Sequence, residues 1–400
     1  MHDLALRLNV CDFFLEIRKY KFLFEKVLVS EDKFLCLLKV HTLQLKMNSI
    51  MKKQIALIFT ITFIFCLSVF AQTKKQYIRL SAAFYNVENL FDTINQPDVI
   101  DEEFTPEGLN KWNTEKYNRK LENLSYVISQ VGSKGGPEIL GLAEVENRGV
   151  IEDLINMPLL KDKGYGIAHF DSPDRRGVDV GLIYVKDVFQ LTESFPHPVI
   201  LPNGYPTRDV LRASGYIDGE LFHFLVAHWP SRSGGEAASM PKRMAAAKVM
   251  RDVSDSLLTI NKDANIVLMG DFNDDPVSKS VKDGLKIKES PKNLKYNDLF
   301  TPMLKLYKEG VGTLAYRDVW NLFDILVVNG NLVGKDYSTF KIYTDPRTKN
   351  SAFVFNKEFL LQSDGPFKNY PYRTIVGGEY HGGYSDHFPV YMYLVKEVGN

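Results

Sequence analysis

Seven short apolar runs, at 78–85, 139–143, 180–184, 221–227, 266–269, 325–328 and 390–395, punctuate the chain and read as strands. Between some of them the apolar period becomes helical. Leu121, Leu124, Val127, Ile128 and Val131 keep that spacing, as do Ala245, Val249, Val253 and Leu257. A chain alternating in this way builds one α/β domain around a mixed sheet. The stretches 92–112, with Asp98, Asp101, Glu102 and Glu103, and 343–384, with several Gly and Pro, read as irregular.

Cys11, Cys36 and Cys66 all lie in the first 66 residues, so nothing after them can form a disulfide or a thiolate metal site. Lys52 and Lys53 precede an apolar stretch at 55–71, which exits through the small residues Val69 and Ala71 into Gln72. That pattern predicts a cleaved secretory signal rather than a retained membrane helix, for which 17 residues are short. Phe65 before Cys66 does not fit a lipoprotein cleavage box. The expected organisation is an upstream extension at 1–46, with Met47 or Met51 as the start, a signal at 47–71, and one domain at 72–400. Residues 1–71 hold 10 Lys and Arg and six Asp and Glu, which leaves 39 basic against 43 acidic side chains. An exported periplasmic or extracellular chain of formal charge about −4 is not a nucleic-acid binder of the usual basic kind. Without disulfides it must rely on its core.

Polar words close the strands: Asn86-Val87-Glu88-Asn89, Glu144-Val145-Glu146-Asn147, His228-Trp229-Pro230-Ser231-Arg232 and Asp271-Phe272-Asn273-Asp274. Asp324 and Ser385-Asp386-His387 complete the set. Taken singly, each is a turn former, a solvated carboxylate or a packing histidine. Together they form an inventory of hard ligands and proton-transfer groups at strand ends, where rigid scaffolds present function. Oxygen ligands without thiolates favour Mg²⁺ or Mn²⁺, with Ca²⁺ also compatible, over structural zinc. A His beside an Asp holds an imidazole in one tautomer and stabilises its charged form. Metal, His–Asp pair and a further carboxylate together suit hydrolysis of a phosphate ester.

The order of these words resembles the endonuclease/exonuclease/phosphatase superfamily, which includes deoxyribonucleases, abasic-site endonucleases, sphingomyelinases and inositol-polyphosphate phosphatases. The resemblance runs from about Arg79 to Leu394, with Gly-Asp-Phe-Asn at 270–273 and Ser-Asp-His at 385–387 as its most specific words. Phe104-Thr105-Pro106, Trp229-Pro230-Ser231-Arg232 and the stretch from Gly312 through Tyr316, Arg317 and Trp320 to Asp324 resemble its bacterial exported branch. The fold implied is α/β, a four-layer α/β/β/α sandwich of two mixed β-sheets flanked by helices.

By resemblance, Glu144 is the principal metal ligand, with Asn86 beside it and Asp386 a further ligand. Asp271 orients or deprotonates the attacking water, and Asn273 contacts the phosphate. His387 is the acid/base, Asp324 its orienting partner, and His228 stands where members carry His or Tyr. Glu88 stands where several members have Asp, which leaves coordination there open. Arg232 and Trp229 are candidates for holding phosphate and stacking a base. Lys242, Arg243 and Lys248 either line a basic patch or solvate their helix.

The resulting expectation is a secreted, metal-dependent phosphodiesterase, foremost a nuclease acting on extracellular DNA or RNA with no stable protein partner. A sphingomyelinase-like or inositol-phosphatase-like enzyme would use the same centre. A catalytically silent surface-binding protein is disfavoured, since every catalytic position holds a competent residue.

Overall fold

The computed structural model describes residues 75–398, with Lys53 and residues 56–60 in addition. The expected upstream extension lies outside the described residues, and so does most of the expected signal segment. Among the described residues no helix is long and apolar enough to cross a membrane.

In chain order the elements are β1 (Tyr77–Leu90), α1 (Thr114–Gln130), β2 (Ile139–Val145), α2 (Arg148–Ile155), β3 (Tyr165–His169) and β4 (Asp179–Val185). They continue as β5 (Gln190–His197), β6 (Val210–Ile217), β7 (Glu220–His228), α3 (Glu236–Ile260), β8 (Asn265–Asp271), β9 (Ile287–Lys288) and β10 (Leu299–Phe300). Then come α4 (Met303–Lys308), β11 (Leu314–Tyr316), β12 (Val319–Asn321) and β13 (Asp324–Asn329). The last are β14 (Lys341–Ile342), β15 (Phe353–Val354), β16 (Ile375–Val376), β17 (Glu379–Tyr380) and β18 (Val390–Glu397).

One sheet runs β14-β18-β1-β2-β4-β3, with β15 also on β18, and the other runs β5-β6-β7-β8-β13-β10-β9. Both are mixed. β1 with β2 and β7 with β8 are parallel, whereas β18 on β1, β4 on β2 and β13 on β8 are antiparallel. Phe84 and Leu182 of the first sheet join Phe224, Leu268 and Leu326 of the second in one buried cluster. The sheets approach closely at Gly141, where a Cβ would lie 2.7 Å from Met269 Sδ. Tyr85, Leu140 and Ile183, on the outer side of the first sheet, pack with Leu121 and Leu124 of α1 and Ile151 and Leu154 of α2. Met250 and Leu258 of α3 join the core of the second sheet. The result is the expected four-layer sandwich.

Local chemistry sets the helix starts. Asn113 Oδ1 accepts from Lys116 N at 3.0 Å, and Asn147 Oδ1 accepts from Val150 N at 3.1 Å. The second of these fixes part of the Glu144-Val145-Glu146-Asn147 word as a helix cap. In α3 the buried stripe passes through Arg243, Ala247, Met250 and Ser254, leaving Ala245, Val249 and Val253 half-buried. Arg243 is fully buried, with Nε 2.6 Å from Asp274 Oδ2. It belongs neither to a basic patch nor to a solvated face.

Candidate active site

The functional words meet because of strand direction. Parallel pairing ends β7 and β8 together, so His228 registers on Asp271. Antiparallel β13 starts where β8 ends, and Asp324 registers on Asp271 from the other side. In the first sheet Asn86 registers on Ala143, one residue before Glu144. The segment entering β18 is tied to the same point by Ser385 Oγ, which donates to Asn86 O at 2.7 Å.

The backbone is bent to serve this centre. Pairing of β2 slips on both sides, between Asn86 and Leu90 on β1 and between Ala143 and Val145. Glu88, Asn89, Glu144 and Asn273 take left-handed φ of 51°, 53°, 62° and 50°. Non-glycine residues in that region cost on the order of 1–3 kcal/mol each and persist only where the surroundings hold them. Here the surroundings do: Asn89 N donates to Glu144 Oε2 at 3.1 Å, and Asn273 N to Asp271 Oδ1 at 2.8 Å.

Asn86 Nδ2 bridges Glu144 Oε1 at 3.3 Å and Asp271 Oδ2 at 3.1 Å, and its Oδ1 accepts from Glu88 N at 3.0 Å. Opposite it, His387 Nδ1 lies 2.7 Å from Asp324 Oδ2, with Asp324 wholly buried. His387 Nε2 is 3.8 Å from Asp271 Oδ2 and 3.9 Å from Asp386 Oδ1. His228 Nε2 is 3.6 Å from the same Asp271 oxygen and 3.8 Å from Glu144 Oε1.

The two histidines are driven apart. Burial pulls both toward the neutral form, but around His387 the charges of Asp324, Asp271 and Asp386 prevail and hold it well above the usual range. Around His228, burial is reinforced by Arg208, Arg176 and His387, which hold it well below that range. These surroundings favour the protonated form of His387 and the neutral form of His228. Burial pushes Asp271 up to about 7, with Asp324 and Glu144 adding to it and His387 and the Asn273 N–H opposing.

A second network, distant in sequence, closes the other side. Arg373 Nε donates to Glu88 Oε1 at 3.0 Å while its Nη2 lies 3.2 Å from Asp386 Oδ2. Glu88 Oε2 accepts from Thr374 N at 2.7 Å. Lys120 is buried among these groups, donating to Thr374 Oγ1 at 2.5 Å and Tyr384 O at 2.8 Å. Burial brings it down to about 8, with Glu88, Asp386 and Glu144 resisting. Beneath His228, Arg208 donates to the carbonyls of His228 and Trp229 at 3.1 and 2.8 Å and to Asp174 Oδ2 at 2.7 Å. Sequence reasoning missed Lys120, Arg208 and Arg373, because nothing local marks a basic residue on a helix or loop as the partner of a remote carboxylate.

Residues 81–396 match the endonuclease/exonuclease/phosphatase family. The chain belongs to that family. Its members are metal-dependent phosphoester hydrolases, and this one is such an enzyme. No curated protein matches it. Among solved structures it is similar to truncated TDP2 of Caenorhabditis elegans, at 14% identity, TM-score 0.48, and coverage of 79% of this chain and 98% of that one. It is also similar to the human Nocturnin catalytic domain with bound sulfate (15%, TM-score 0.46, 81% and 98%). A family protein of Bacteroides thetaiotaomicron shares 18% identity, with TM-score 0.45 and coverage of 81% and 98%.

The donor set fits the divalent cation this phosphoesterase family uses. Glu88, Glu144, Asp271, Asp324 and Asp386 converge, with Lys120, Arg208, Arg373 and His387 as the cationic side chains near them, and the carboxylate ligands offered are all oxygens. Glu144 and Asp386 keep side-chain exposures of 17% and 29%, whereas Asp271 and Asp324 are enclosed. These two open carboxylates would hold the cation, which supplies charge neutralisation at the phosphate. Asn86 stands beside them, its Nδ2 holding the Glu144 and Asp271 carboxylates and its Oδ1 accepting the Glu88 amide. Asp271 sits where it can take a proton from an attacking water. His387 Nε2 faces the same point as a proton donor, and neutral His228 offers a hydrogen bond without a charge.

Both expected substrate residues are differently engaged. Trp229 is 1% exposed and stacks on Phe272 with centroids 4.1 Å apart, so it is core and cannot receive a base. Arg232 donates to Asn273 O and Asp274 Oδ1 at 3.0 and 3.1 Å, and to Glu236 and Asp275 at 3.1 and 3.2 Å. Its fork is spent on fastening the 272–275 turn rather than on phosphate. Asn273 Nδ2 likewise goes to Trp229 O at 3.0 Å. Where edge strand β3 turns into β4, His169, Asp171 and Asp179 bring ligand atoms within 4.8 Å of one another, but Asp171 is exposed and the group belongs to the β3–β4 connection.

Proposed function

We propose that the protein is an exported, Mg²⁺- or Mn²⁺-dependent phosphodiesterase that hydrolyses DNA or RNA by in-line attack of water. The observation that carries this reading is the placement of His387 and Asp271 with Nε2 and Oδ2 3.8 Å apart. A proton acceptor and a proton donor thus stand in one centre, the two groups that hydrolysis of an ester with an alkoxide leaving group uses. Arg373, with 46% of its side chain exposed, offsets part of the charge of Glu88 and Asp386 beside this pair, which lessens repulsion of a phosphate.

The test is incubation of the purified protein with plasmid DNA, RNA, sphingomyelin and an inositol polyphosphate, each with Mg²⁺, with Mn²⁺ and with EDTA. EDTA-sensitive cleavage of nucleic acid is expected. Turnover of only the lipid or the inositol phosphate would keep the centre and overturn the substrate. Export is tested by cell fractionation with N-terminal sequencing, which should place the mature start at Gln72.

A further inference from the structure

The words Gly312-Thr313, Tyr316-Arg317 and Trp320 are not absorbed by the hydrolytic centre, yet they stand beside it. Strands β11 and β12 pair as a short hairpin outside both main sheets. Its base is fastened to the catalytic segments. Thr313 N donates to Asn321 O at 2.8 Å, Phe388 N donates to Thr313 O at 2.8 Å, and Thr313 Oγ1 receives the Phe323 and Asp324 amides at 3.3 and 3.4 Å. The Trp320 ring lies on Phe388, the residue after His387, with centroids 5.9 Å apart and planes at 19°. At the tip, Arg317 and Asp318 take left-handed φ of 50° and 64°, and Asp318 Oδ1 accepts from Tyr370 OH at 2.7 Å. The hairpin is thus pinned at both ends.

A pinned hairpin of this size has no core of its own to fill, yet it displays large rings. Tyr316 is 62% exposed and Trp320 39%. Exposed aromatics that continue a phosphoester site are suited to stack on the planar group next to the phosphate. Charge selects which group. The Arg317 guanidinium already covers one side of Tyr316, 5.2 Å from the ring centroid. A cation there repels a quaternary ammonium headgroup and attracts a nucleotide, whose base meets the ring while its phosphate meets the arginine.

We infer that hairpin 314–321 is a stacking platform for an unpaired nucleobase flanking the scissile phosphate, with Trp320 and Tyr316 as the contacting rings and Arg317 beside them. This rests on the nucleic-acid reading above.

The test compares a single-stranded oligonucleotide with a tetrahydrofuran strand of equal length, which has the same backbone and no bases. The wild-type enzyme with Mg²⁺ should favour the base-bearing strand about 10- to 100-fold in kcat/KM, mostly through KM, as loss of base stacking implies. Trp320→Ala and Tyr316→Ala should each raise KM for that strand about tenfold. They should leave hydrolysis of the abasic strand unchanged, and Trp320→Phe should restore most of the loss. Because Trp320 also packs on Phe388, Tyr316→Ala keeps the test decisive if Trp320→Ala fails to fold. Equal wild-type rates on the two strands, or an unchanged KM in Tyr316→Ala, would overturn the platform while leaving the nuclease intact. Failure of the wild type to cleave either strand removes the nucleic-acid reading and the platform together. A KM for sphingomyelin vesicles that rises in Tyr316→Ala would reassign the rings to a lipid headgroup.

Discussion

Asp324→Asn removes one charge and almost no volume from the centre of the proposed mechanism. Asp324 is fully buried, its Oδ2 lies 2.7 Å from His387 Nδ1, and its Oδ1 has no other partner. A hydrogen bond to a charged group is worth about 1.5–3 kcal/mol, and leaving one member of a buried ion pair alone costs about 3–5 kcal/mol. Expressed against the transition state at 1.36 kcal/mol per decade, the loss spans about 10- to 10⁴-fold in kcat. That holds only if the proton on His387 is needed, and the choice of leaving group shows whether it is. An oligonucleotide expels an alkoxide, which must be protonated. Bis(p-nitrophenyl) phosphate expels a phenolate, which need not be. Steady-state rates on both substrates, with circular dichroism to verify the fold, should show the full loss on the oligonucleotide and about tenfold or less on the nitrophenyl ester. Equal losses on the two would refute the assignment of His387 as acid, and a rate within threefold of wild type on the oligonucleotide would refute the pair altogether.

Two further outcomes concern stability. His223 on β7 is 5% exposed, bonds Ser214 Oγ at 2.8 Å, and is brought down to about 4 by burial, with Arg212 reinforcing. Its contribution is present above pH 6.5 and is lost as pH falls toward 4, because the unfolded chain gains a proton the folded one refuses. This is worth about 3 kcal/mol. Urea unfolding at pH 7 and pH 4.5 should show His223→Gln losing about 2–3 kcal/mol less than wild type over that interval, and identical losses would sink the idea. Arg208→Met takes the buried guanidinium from Asp174, which keeps only the partly exposed Arg176, and from two carbonyls, and should destabilise by about 3 kcal/mol. The double variant Arg208→Met, Asp174→Leu should recover part of that in the same assay, and an additive double variant would remove the coupling.

The centre was legible because its residues sit at the ends of apolar strands that announce themselves. Asn86, Glu144, His228, Asp271, Asp324 and His387 each follow or open such a run, and the register of β7, β8 and β13 brings three of them side by side. Other strands were hidden. β5 reads Gln-Leu-Thr-Glu-Ser-Phe-Pro-His and lies at a sheet edge, half in solvent, where polar residues and a proline are tolerated and no apolar run is needed. Trp229 looked like a platform because a strand-end aromatic beside a histidine is ambiguous in one dimension. Only the Phe272 ring beneath it settles that it is core. Arg232 and Arg243 were misread for a related reason. Both pair with Asp274, at 3.0 and 2.6 Å, and an ion pair spanning some 30 to 40 residues has no local signature.

The same contacts show how a sheet sandwich comes to hold a strained, charge-rich site. The strand ends alone would point their side chains along the sheet edges. Slips in register at 87–89 and at Glu144 turn two carboxylates into the cleft, at the cost of left-handed backbone in Glu88, Asn89 and Glu144. Fully buried strands such as β8 and β13 supply the rigid frame against which that strain is held. The basic residues then come from outside the frame: Lys120 from α1, Arg208 from the approach to β6, and Arg373 from the irregular 343–384 region. Frame and counter-charges are therefore separable in sequence. The strand ends specify the hydrolytic chemistry, while the loops that deliver Arg373 and the 314–321 hairpin are free to change what is hydrolysed.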